Sequence, residues 1–110
     1  MPLSEKVRIE IFIPDPPDIA YRDLLEELAT ELSYAFGGCT EVPASGKYRS
    51  FDGVIVSDKI TILFSDAPLL WERDRLAVGQ YVDRVKRAAQ RALEQEEVVL
   101  ISVFSVCHSD

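Results

Sequence analysis

The stretch FGGCTEVPASGKYRSFDG, Phe36 to Gly53, holds four of the chain's five glycines. Glycine-rich segments either cradle a ligand or let the chain turn corners, and the order of neighbouring patterns separates the two. A phosphate cradle places its glycines between a strand and the start of a helix. Here the apolar residues Tyr21, Leu25, Leu28, Leu32, Ala35 and Phe36 precede the glycines at helical spacing, so Gly37-Gly38 stops a helix instead of starting one. From Thr40 to about Phe51 the chain reads as a weak strand, interrupted by Pro43 and by Gly46, which marks a bulge or bend. Asp52-Gly53 then reads as a hairpin turn with positive φ at both central positions, leading into a strand. The stretch is two corners joined by a strand.

Working outward, Val7, Ile9, Ile11 and Ile13 alternate with Arg8, Glu10 and Phe12, the period-2 pattern of a strand covered on one face. Asp15-Pro-Pro-Asp18 ends it, and Asp18 is placed to cap the helix that starts at Ile19. After the hairpin, Val54 to Phe64 forms a strand with Ile60, Ile62 and Phe64 on one face, stopped by Asp66-Ala-Pro68. Val78, Val82, Val85, Ala89, Ala92 and Leu93 then mark a helix that starts at Trp71 or Asp74 and runs to Gln95. Val98 to Cys107 is a last strand, with Val99, Ile101 and Val103 on one face and Val98, Leu100, Phe104 and Val106 on the other.

The resulting order β-α-β-β-α-β, with right-handed crossovers, predicts an α+β, ferredoxin-like fold: a four-stranded antiparallel sheet, order 4-1-3-2, with two helices on one face. At 110 residues, of which 47% are hydrophobic, the chain suits one domain spanning 1–110. No secretion signal, membrane span or repeat is visible, so a cytoplasmic location is expected. Cys39 and Cys107 read as free thiols, and a 4-1-3-2 sheet sets them on opposite edge strands, beyond the reach of a disulfide. The formal net charge of -7 argues against nucleic acid as a partner. The charge is uneven: seven acids accompany Arg22 between Asp15 and Glu41, whereas Arg73 to Arg91 holds six of the twelve bases.

With these elements placed, the chain resembles families of small uncharacterised bacterial ferredoxin-like proteins that read F-G-G-x-T, G-x-[YW], D-G before a strand, and Q-E-x-V-L. The matching residues are Phe36-Gly37-Gly38-Cys39-Thr40, Gly46-Lys47-Tyr48, Asp52-Gly53 and Gln95-Glu96-Glu97-Val98-Val99-Leu100, the last with one extra residue. The resemblance implies the fold and no particular activity.

In this fold one sheet face has no helices, and the pattern puts Phe12 there beside Leu100 and Phe104. An uncovered apolar face predicts a partner, here a homodimer with Phe12, Leu100 and Phe104 in its interface. The candidate ligand set on or beside that face is Arg8, Glu10, Phe12, Tyr48, Arg49 and Trp71, able to bind an anionic aromatic molecule and move a proton. An ordinary ion pair between Arg8 and Glu10 and a core-packed Trp71 account for the same residues. His108, the only histidine, adjoins Cys107, but neighbours on an extended chain point to opposite faces, so neither a metal site nor a catalytic dyad is expected and His108 reads as a terminal side chain. Neither a metal nor a cofactor is implied. The sequence supports a small acidic self-associating binding module, with a cofactor-free α+β-barrel enzyme or a small-molecule sensor as the alternatives.

Overall fold

The computed structural model describes residues 3–14, 19–93 and 99–109. Six elements follow in order: β1 (Leu3–Pro14), α1 (Ile19–Phe36), β2 (Thr40–Arg49), β3 (Ile55–Ala67), α2 (Trp71–Leu93) and β4 (Leu100–Ser109). The strands form one antiparallel sheet in the order β2-β3-β1-β4, which is the expected order read from the opposite edge. The fold is ferredoxin-like α+β.

Alternation in β1 decides which way the sheet faces. Val7, Ile9, Ile11 and Ile13 are buried toward the helices, together with Leu63 and Ala67 of β3. α1 lies over β3 and α2 over β4, with the central β1 beneath them. The seam of α1 is Leu24, Leu28 and Leu32, one i,i+4 row. Leu24 was absent from the sequence pattern, whereas Tyr21 and Leu25 flank the seam and Ala35 is exposed. In α2 the buried row is Val78, Val85, Ala89 and Leu93. The helices meet where Tyr81 packs edge-on against Phe36, with ring centroids 5.3 Å apart, and its hydroxyl donates to Glu31 at 3.1 Å. No ion pair among the described residues bridges the acidic first helix and the second.

The corners differ in detail from their sequence reading. Gly37 ends α1 with φ +87°, its N–H donating to the Ser33 carbonyl at 2.9 Å, the expected left-handed cap. Gly46 is no bulge: it sits in regular register opposite Asp58. Pro43 does not interrupt β2, because β2 is an edge strand where a missing N–H can face solvent. The hairpin loop spans three residues, Phe51 to Gly53, and not two. The Gly53 N–H donates to the Ser50 carbonyl at 2.9 Å and Gly53 takes φ +88°, a turn closed by one left-handed residue. Strand ends also move outward: β1 begins at Leu3, β3 continues to Ala67, and β4 continues to Ser109. Asp18, Gln95 and Val98 lie outside the described residues.

β3 outruns its central partner. Among the described residues β1 pairs with β3 from Pro14 opposite Ile60 to Val7 opposite Ala67, and Ile55 to Lys59 have β2 as their sole strand neighbour. This distal half of the hairpin is a two-stranded arm, and the side chains on its helix side are exposed.

Candidate functional site on the open sheet face

Antiparallel register sorts the uncovered face into rows. Asp66, Arg8 and Phe104 form one row across β3, β1 and β4; Phe64, Glu10 and Ser102 form the next. A third row, Val42, Ile62, Phe12 and Leu100, is apolar across all four strands. Directly opposed side chains in such a ladder touch, so each row behaves as a unit. Leu100 is 60% exposed and Phe104 38%.

The polar end of the face is built around Asp66. Arg8 Nε and a terminal guanidinium nitrogen donate to its two carboxylate oxygens at 2.7 and 2.9 Å, a bidentate fork. The Arg8 guanidinium also sits 4.3 Å from the centroid of the Phe64 ring. His108 approaches from β4, its Nε2 lying 2.8 Å from Asp66 Oδ2. Side-chain exposure is 26% for Arg8 and 15% for Asp66, and 40% for His108. The Arg8 hydrogen bonds hold the Asp66 carboxyl below the usual carboxylate range against the opposing effect of burial, and the Arg8 and His108 charges act in the same direction. Reciprocally, the Asp66 hydrogen bond raises Arg8. A carboxylate anchored by arginine thus orients the His108 imidazole, a geometry of the kind used to hold or move a proton.

Of the residues picked out in the sequence, the fold assembles Arg8, Glu10, Phe12, Leu100 and Phe104. It separates the rest. Tyr48 lies on the same face but opposite Val56, far out on the arm; Val56 is ten residue steps along β3 from Asp66, about 33 Å of strand. Arg49 points to the helix side of the arm, opposite Ile55. Trp71 opens α2 as its first residue, half-buried in the helix layer and not in a preceding loop. Asp66 and His108 were missed. His108 is not a terminal side chain without a contact, because β4 extends past it and pairs it with Ser4. Its parity with Phe104 and Val106 was the available signal.

Among the described residues no three His, Cys, Asp or Glu side chains gather into a metal-binding group. Cys39 is half-buried and Cys107 exposed, both free, at the two edges of the sheet. Burial, and then the charge of Glu41, push the Cys39 thiol up, which opposes a nucleophilic role. A shallow cleft of about 340 Å³ lies beside it, lined in part by Ser33, Tyr34 and Glu41. No described helix is long and apolar enough to cross a membrane.

No known family profile matches the chain. Nor does any curated protein. Solved structures do match in fold. A phage SAM lyase in complex with S-methyl-5′-thioadenosine superposes with a TM-score of 0.57 at 15% identity, covering 94% of this chain and 90% of its own. CutA from Synechococcus elongatus gives 0.51 at 9% identity, covering 97% and 82%. The divalent cation tolerance protein of Thermus thermophilus gives 0.49 at 15%, covering 96% and 85%. At these identities the likeness concerns the fold.

Proposed function

We propose that this protein is a self-associating binding module that buries its open sheet face against a second copy, forming a homodimer through Phe12, Leu100 and Phe104. The observation that carries this reading is the apolar row Val42-Ile62-Phe12-Leu100, which crosses the whole sheet and has no covering element among the described residues. Removing such a row from water is worth roughly 25 cal/mol per Å². Phe104 stands two rows away, in the row of Arg8, with the Phe64-Glu10-Ser102 row between. Light scattering on wild type and Phe104→Glu tests it: wild type is dimeric or larger and the variant has a lower mass. A monomeric wild type removes the reading.

A second reading rests on the Arg8–Asp66–His108 cluster, which suits a small-molecule sensor or a cofactor-free enzyme. Glu10 borders the cluster and Phe12 lies one row beyond it, whereas Tyr48, Arg49 and Trp71 of the candidate ligand set would join only through a second copy. The phage SAM lyase of the same fold holds S-methyl-5′-thioadenosine, so that nucleoside is the first ligand to titrate. Calorimetric binding abolished by His108→Ala would support a ligand site there. Equal heats from wild type and variant would remove it.

A further inference from the structure

The distal hairpin arm has three properties that belong together. From Ser45 to Lys59 it is a ribbon of two strands, with no third strand beside it and no helix over it among the described residues. An isolated two-stranded ribbon is marginally stable in water and normally needs a third layer or strand. Its helix-side face carries Lys47, Arg49 and Lys59 with no acid among them, because Asp58 points to the other face. Its tip exposes Phe51, Val54 and Ile55. Exposed apolar side chains gathered in one place, unlike those scattered singly, mark an interaction site.

The complementary surface is on the same molecule. The outer face of α1 presents Asp23, Glu26 and Glu27 against the single base Arg22, all exposed, while Glu31 is turned toward Tyr81 of α2. Clefts run along it, one lined by Glu26, Glu27 and Thr30, and one that includes the apolar side chains of Ile19 and Leu25. The arm leaves the sheet distally and so does not lie over its own α1, whose seam sits on the core end of β3. We infer that the arm of one copy lies on α1 of another, its three bases against the acids of α1 and its apolar tip against the Ile19–Leu25 cleft. This inference rests on the self-associating reading but uses the opposite side of the sheet from Phe104. A second copy is the favoured occupant because the match is of charge as well as apolar surface, and both halves are present at equal concentration in every solution of this chain.

Charge exchange tests it on the full chain. One variant carries Lys47→Glu, Arg49→Glu and Lys59→Glu, and a second carries Glu26→Lys and Glu27→Lys. Each alone sets like charges together, whereas an equimolar mixture restores opposite charges at every arm–helix contact. The expected result is a lower mass by light scattering for each variant alone, with native circular dichroism, and recovery of the wild-type mass in the mixture. Unchanged mass in either variant, or no recovery on mixing, overturns the contact. Saturable binding of heparin by a monomeric wild type, lost in the arm variant, also overturns it in favour of a polyanion. The Phe104→Glu chain, run in parallel, separates the two interfaces: if only Phe104→Glu lowers the mass, the open-face reading stands and the arm contact falls, and the reverse pattern has the reverse meaning.

Discussion

Arg8 and Asp66 stand directly opposite each other on β1 and β3, and the guanidinium grips both carboxylate oxygens, at 2.7 and 2.9 Å, on a sheet face with no described helix above it. Both side chains are shielded, and each is the other's principal partner. Removal of one therefore strands a partly buried charge. Asp66→Ala is expected to destabilise the fold by about 2 kcal/mol, in the range of hydrogen bonds to charged groups. Urea denaturation reads this as a lower midpoint at unchanged slope, and a midpoint equal to wild type would contradict it.

The same pair sets an acid dependence. Asp66 titrates below its ordinary value in the folded protein, so its contribution is fully present above the unfolded carboxylate pKa of about 4 and is lost as pH falls through the lower folded value. The stability gap between wild type and Asp66→Asn is expected to close as pH falls below about 4 toward the lower folded value. A gap that stays the same down to about pH 2.5 would show that the folded and unfolded pKa values do not differ.

Tyr81 gives the alkaline counterpart. Burial, followed by its hydrogen bond to Glu31 and the charge of that carboxylate, raises its phenol well above the ordinary value. Of the chain's four tyrosines, Tyr81 should be the last to ionise in an ultraviolet titration. Stability linked to this phenol is complete below the unfolded value of about 10 and declines as pH rises past it toward the raised folded value. Tyr81→Phe should remove the late step from the titration; a late step that persists in the variant belongs to another tyrosine.

Gly53 and Gly46 make a contrasting pair. At neither position would an added Cβ meet any atom within 4 Å, so backbone conformation alone decides the outcome. Gly53→Ala forces a left-handed residue at φ +88° and should cost about 1 kcal/mol. Gly46→Ala, in regular strand register opposite Asp58, should be neutral or stabilising by up to about 1 kcal/mol. Thermal midpoints that moved together would refute the distinction.

In the core, Leu32 is fully buried between α1 and the sheet. Leu32→Ala is expected to cost about 3 kcal/mol, the transfer term plus the cavity left behind. A loss below about 1 kcal/mol in chemical denaturation would mean that the surrounding side chains collapse into the space.

Much of this architecture is written in local pattern. The alternation from Val7 to Ile13 specifies the buried face of β1 because a strand's side chains alternate with period two. Gly37 and Gly53 each take a left-handed conformation, a role few other residues accept. The order of helices and strands, with right-handed crossovers, then leaves one sheet topology. Placement of Phe12, Leu100 and Phe104 on one face follows from the same parity.

Tertiary structure alone decided what these residues meet. Asp66 and His108 come from strands that are not neighbours in the sheet, joined across β1, and no local pattern relates a turn-adjacent aspartate to a histidine near the chain's end. The arm exists because β1 stops pairing at Pro14 while β2 and β3 continue. Strand lengths are legible in sequence, but their mutual offset is set by register, which depends on the whole packed face. Tyr48 and Arg49 accordingly fall on the arm, and the cluster at Asp66 forms without them, because separation along β3 and not separation in type determines which side chains can touch.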